Sequence, residues 1–124
     1  MPRVMHFDLY ADKPERAIKF YTDTFGWKFD KWSDPSYPSD YWQIITGDET
    51  LPGINGGLSP RTNVPRNTLT IVVPSVDTFI GKVVKNGGSI VIAKTAIRKV
   101  GWFSVFRDPE GEYVGMLETD MEAK

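Results

Sequence analysis

The 124-residue chain contains no cysteine and a single histidine. Without cysteine there is no disulfide, no thiolate nucleophile and no cysteine-ligated zinc. The usual fingerprint of a small secreted domain is missing as well. With His6 alone, one chain cannot build a two-histidine metal site, and a Ser-His-Asp arrangement would have to use that residue. Charge of one sign is also lacking: fifteen Lys and Arg against sixteen Asp and Glu leave −1. That balance gives no electrostatic basis for binding nucleic acid or an anionic membrane. No apolar run reaches spanning length, and Met1-Pro2-Arg3-Val4-Met5-His6 has no signal-peptide core. One cytoplasmic domain covering 1–124 is expected. Its chemistry would rest on carboxylates, Tyr, Lys or a bound metal.

What is present is an internal repeat. Residues 4–10 alternate, with Met5, Phe7 and Leu9 on one face and His6, Asp8 and Tyr10 on the other. Residues 68–73 do the same, Leu69, Ile71 and Val73 opposing Thr68, Thr70 and Val72. Each strand leads into a helix pattern. Pro14 and Glu15 suit a first turn with Asp12 as a nearby cap, Ile18, Tyr21 and Phe25 form the apolar stripe, and Gly26 ends it. In the second half Ser75 caps, Val76, Phe79, Ile80, Val83 and Val84 form the stripe, and Asn86-Gly87-Gly88 stops it. Subtracting 62 superimposes Thr68 on His6, Val76 on Pro14 and Gly88 on Gly26. Strand-like runs follow at 27–32, 41–46 and 54–58, then at 89–93, 102–107 and 113–118, with Asp108-Pro109-Glu110-Gly111 as a turn. Each half is therefore β-α-β-β-β: module one about 4–58, a connector at 59–66, and module two about 67–118.

Phe20-Tyr21, Phe25-Gly26-Trp27 and Asp108-Pro109-Glu110-Gly111, set in this layout, resemble the vicinal oxygen chelate superfamily of glyoxalase I, bleomycin-resistance proteins and extradiol dioxygenases. Pro52-Gly-Ile-Asn-Gly-Gly-Leu58 and Val100-Gly-Trp-Phe103 look like its glyoxalase-like branch. The resemblance implies an α+β fold whose two β-α-β-β-β modules form an incompletely closed eight-stranded cup with the helices outside. It also implies a homodimer, for which open strand edges give an independent reason. A small molecule in the cup is implied too, often at a metal held by four side chains. Of those four ligand positions His6 occupies the first, Thr68 is its counterpart in the second module, and the other two fall at Gly57 and Gly115. Glu118 is no substitute, because strand alternation turns it to the face opposite Gly115. The expectation is a superfamily member without an intact metal site and with no cofactor.

The candidate ligand-binding residues are His6, Asp8, Thr68, Thr70, Trp42, Trp102 and Phe103, with His6 the candidate acid or base. Strand histidines and threonines, and aromatic side chains, also serve purely structural ends. Segment 33–40, with two prolines, reads as a loop over the cup, and Lys94, Arg98 and Lys99 as a solvated strand edge. Three functions are compatible with the sequence. The leading one is a protein that binds a small organic molecule without a tightly held metal. The alternatives are a metal-dependent lyase, isomerase or dioxygenase using His6 plus carboxylates, and a protein-interaction module with a vestigial cup.

Overall fold

The alternating and helical patterns become ten elements in the computed structural model, which describes residues 2–34 and 39–124. Within the expected 33–40 loop, residues 35–38 lie outside the described residues. Strand β1 is Arg3–Ala11 and helix α1 is Pro14–Phe25. Asp12 does not cap α1: the cap residue is Lys13, with no side-chain capping bond. Asp12 stands one position too early to cap, and its carboxylate faces Arg61 at 3.8 Å instead. Gly26 closes α1 at φ 73°, where its N–H donates to the Thr22 carbonyl; that left-handed conformation is why glycine stands there.

Strands β2 (Lys28–Lys31), β3 (Trp42–Ile45) and β4 (Gly56–Pro60) complete the first half. β4 runs on through Ser59 and Pro60, which the sequence assigns to the connector. Parallel pairing with β1 carries it there, Tyr10 opposite Ser59 and Ala11 opposite Pro60. The second half repeats the plan: β5 (Leu69–Val72), α2 (Val76–Lys85), β6 (Ser89–Ile97), β7 (Gly101–Arg107) and β8 (Tyr113–Thr119). Ser75 caps α2 as expected, its hydroxyl accepting from the Thr78 N–H at 3.2 Å. Val84, placed in the apolar stripe by its spacing, is instead exposed, because it sits at the margin of the arc that meets the sheet.

The strands form one mixed eight-stranded sheet in the order β2-β3-β4-β1-β5-β8-β7-β6, with β2 and β6 as its edges. In each half the first strand pairs parallel with the last, and the registers correspond: Asp8 lies opposite Gly57 and Thr70 opposite Gly115. Asp8 and Thr70 are 70 − 8 = 62 residues apart, the offset read from the sequence. The alignment of Gly57 with Gly115 is thus built into the hydrogen-bonding pattern.

By contacts the chain divides into an N-terminal unit, His6–Val64, and a C-terminal unit, Pro65–Lys124 with Met1–Met5. In the N-terminal unit Ala11, Trp42, Ile44 and Leu58 form the buried core, covered by Phe7, Leu9, Phe29, Trp27 and, from α1, Ala17 and Ile18. In the C-terminal unit Val73, Val76 and Met116 are buried under Ile71, Trp102, Phe106 and the α2 residues Phe79, Ile80 and Val83. Each helix thus covers one face of its own strands.

Candidate functional site

Strand alternation decides which residues share the helix-free face of the N-terminal unit. Leu9 and Leu58 are paired and belong to the core, so the preceding pair, Asp8 and Gly57, faces the other way, and His6 with it. Gln43 joins them as the partner of Gly57 on β3. On this face His6 Nε2 lies 3.4 Å from Asp8 Oδ1 and 3.2 Å from the Tyr41 hydroxyl. The His6 side chain is about one-third exposed and that of Asp8 14% exposed. One ring nitrogen therefore serves two partners. As the neutral tautomer protonated elsewhere, it accepts from the phenol. Carrying a proton, it donates toward the carboxylate. The arrangement can offer a ligand a hydrogen-bond donor or acceptor, and it can take up or give up a proton.

Tyr41 is one residue that sequence reasoning missed. It immediately precedes β3, where its carbonyl accepts from the Trp32 N–H at 2.8 Å and its ring meets Trp32 edge-on, centroids 5.8 Å apart. The ring lies directly over Gly57: a Cβ built there would collide with the Tyr41 hydroxyl and ring carbons. The signal was available, since Trp42 and Ile44 are core residues and parity sends Tyr41 and Gln43 to the opposite face.

The equivalent glycine of the C-terminal unit is roofed in a similar way. A Cβ on Gly115 would come within about 3 Å of Asn67 Nδ2, Phe103 Cε1 and Thr70 Oγ1. Thr70 is buried and its hydroxyl accepts from Asn67 Nδ2 at 3.2 Å. Asn67, also buried, is a second residue that sequence reasoning passed over. Thr70 and Phe103 are thus brought together, whereas Thr68 is exposed and precedes β5.

The two tryptophans are placed differently from the cup-or-rim expectation. Trp42 is 8% exposed within the N-terminal core, on the face opposite His6, because it pairs with Leu58. Trp102 packs on the α2 side of the C-terminal unit. There its indole N–H donates to Asp120 at 3.0 Å and Lys94 lies over the ring. Asp120 also accepts from the Glu122 N–H. This bond first, then the one from Trp102, holds the carboxyl below its ordinary value. Glu118 faces away from Gly115, as alternation required, and serves the structure there. Its carboxylate accepts from the Val76 N–H at 2.9 Å, at the start of α2.

With this geometry described, comparison with known proteins places the chain. Residues 3–116 match the Glyoxalase/Bleomycin resistance protein/Dioxygenase superfamily, and the chain belongs to that family. It is 30% identical over 120 residues to "Putative glyoxylase CFP32" of Mycobacterium bovis, a match covering 91% of this chain and 44% of that protein. This chain thus spans less than half the length of the mycobacterial relative. A glyoxylase-like domain-containing protein of Didymella fabae is 30% identical over 112 residues, 88% of each chain. Among solved structures, methylmalonyl-CoA epimerase from Mycobacterium tuberculosis superposes with a TM-score of 0.70 at 14% identity, covering 94% of this chain and 87% of that one. A hypothetical protein from Bacillus halodurans gives 0.74 at 14% identity, covering 98% and 97%. At such identities these likenesses show the fold.

The four-ligand metal centre implied by the superfamily does not fit the residues present. Among the described residues no group of three or more His, Asp or Glu side chains is placed to share an ion. Gly57 and Gly115 offer no donor, and the space over each is taken by other side chains. His6 and Asp8 remain, fewer than the three protein ligands that stable sites generally use. Also among the described residues, no helix is long and apolar enough to cross a membrane.

Proposed function

We propose that the chain binds a small organic molecule at the His6 face without a tightly held metal ion. The observation that carries this reading is the Tyr41 hydroxyl, set over Gly57 and hydrogen-bonded to His6 Nε2. A phenol stands beside the glycine, and the imidazole is engaged by a hydroxyl and a carboxylate. Such a group recognises a hydroxyl or carbonyl oxygen by hydrogen bonding, with Asp8 fixing the ring and balancing any proton it gains. Thr70 and Phe103 around Gly115 are proposed as ligand contacts within the C-terminal unit. A homodimer, paired through the open edges of β2 or β6, and a cytoplasmic location accompany this proposal.

Trp32 supplies the readout, because its ring touches Tyr41. Titration of the chelator-treated protein with a panel of small hydroxy- and oxo-compounds is expected to give saturable changes in tryptophan emission. These weaken in His6→Ala and Tyr41→Phe. Binding that appears only after a divalent cation is added overturns the proposal and supports the metal-dependent enzyme. Sedimentation at one protomer's mass overturns the dimer.

A further inference from the structure

The helix side of the N-terminal unit contains a hollow of about 410 Å³. Leu9, Ala11 and Leu58 form its floor, and Ala17, Phe20 and Tyr21 of α1 its wall. Leu9 and Ala11 alternate with Asp8 and Tyr10 along β1, so this hollow opens on the sheet face away from His6. Its rim is basic: Lys13, Arg16 and Arg61 stand against Asp12 alone, an excess of 3 − 1 = 2 positive charges. Arg61 is held in place, Nη2 donating to the Tyr10 carbonyl at 3.0 Å and Nε lying 3.8 Å from Asp12. Lys13 and Arg16 have no carboxylate partner among the described residues. Phe20, one turn beyond Arg16, is 55% exposed at the same place.

The hollow borders the core, sharing Leu9, Ala11, Ala17 and Leu58 with it, and its rim sets the Lys13 ammonium and the Arg16 guanidinium beside that apolar surface. We infer that this hollow is a binding site for a small amphipathic anion. Its carboxylate or phosphate would meet Arg16 and Arg61, and its apolar or aromatic body would lie on Leu9, Ala17 and Phe20. Guanidinium groups suit such headgroups because their N–H donors match two oxygens at once. The volume falls in the range of small-molecule sites, about 300–1,000 Å³. The inference is independent of the His6 site, which lies on the other face.

The test is an amide chemical-shift titration of the full chain with phenyl phosphate. Benzoate, inorganic phosphate and phenol form the parallel arms. Saturable shifts at Leu9, Ala11, Ala17 and Leu58 are expected with phenyl phosphate or benzoate, and their relative affinities identify the preferred headgroup. Phenol and inorganic phosphate, each carrying half of the required chemistry, bind at least about tenfold more weakly. Arg16→Glu weakens binding by about tenfold or more and Arg16→Gln by less, while Arg98→Glu in the other unit leaves it unchanged. Arg16 is exposed, so both variants fold, as thermal melts will confirm. Equal binding of inorganic phosphate, undiminished binding in Arg16→Glu, or shifts confined to the His6 face each overturn the proposal.

Discussion

Replacing Gly57 by Ala should weaken the fold only while Tyr41 is present. The added methyl would occupy the position of the phenol, and the ring must swing away. In doing so it gives up the 3.2 Å hydrogen bond to His6 and the edge-on contact with Trp32. Each interaction is worth about 0.5–1.5 kcal/mol. Against this, glycine to alanine in an accommodating backbone gains about 0.4–1 kcal/mol, because the unfolded chain has less freedom to lose. The single variant should therefore lose on the order of 1 kcal/mol. In a Tyr41→Ala background the clash is gone and the same substitution should be neutral or stabilising. The coupling between the two positions is then about 1–2 kcal/mol. Urea unfolding of the four proteins of this cycle measures it directly. Equal effects of Gly57→Ala in both backgrounds would refute the packing of Tyr41 over Gly57.

Other expectations follow from single contacts. Glu118→Ala leaves the N–H of fully buried Val76 without its acceptor, costing about 1–3 kcal/mol, whereas Glu118→Gln keeps an acceptor and recovers most of that; thermal melts separate the two. Trp42→Ala empties a core site and should cost about 3–5 kcal/mol, a large part of typical domain stability; denaturant midpoints report it. Because hydrogen bonds from the Glu122 N–H and Trp102 hold the Asp120 carboxyl below its ordinary value of 3.8, its stabilisation is present above the unfolded pKa. It is lost as pH falls through the lower folded value. Stability measured from pH 6 down to pH 2 should therefore fall further in the wild type than in Asp120→Asn, and equal losses would contradict the assignment.

Much of the architecture was legible because period-two and period-3.6 patterns with capping glycines are local signals. His6 with Asp8, the Ser75 cap, Gly26 and the 62-residue offset all follow from neighbours in the chain. The Asp12 cap failed because α1 begins one position later, with Lys13 at its cap, a boundary that local patterns place only to within a residue or two. Ser59 and Pro60 became strand because β1 extends beside them. At the site, aromatic character drew attention to Trp42 and Trp102, yet it does not reveal which face of a strand is covered; the helices cover theirs. Tyr41 escaped notice because its importance depends on Gly57, a glycine in a neighbouring strand. The metal ligands implied by resemblance could be checked by residue type alone, but what fills their place could be seen only in the packing.

His6 is proposed to be a hydrogen-bonding group and not one corner of a metal centre. Calorimetric titration of the chelator-stripped protein with Zn²⁺, Ni²⁺, Mn²⁺ and Fe²⁺ tests it most directly. Weak, non-saturating uptake that Tyr41→Phe does not change is expected. One equivalent bound at submicromolar affinity and abolished by His6→Ala would contradict it.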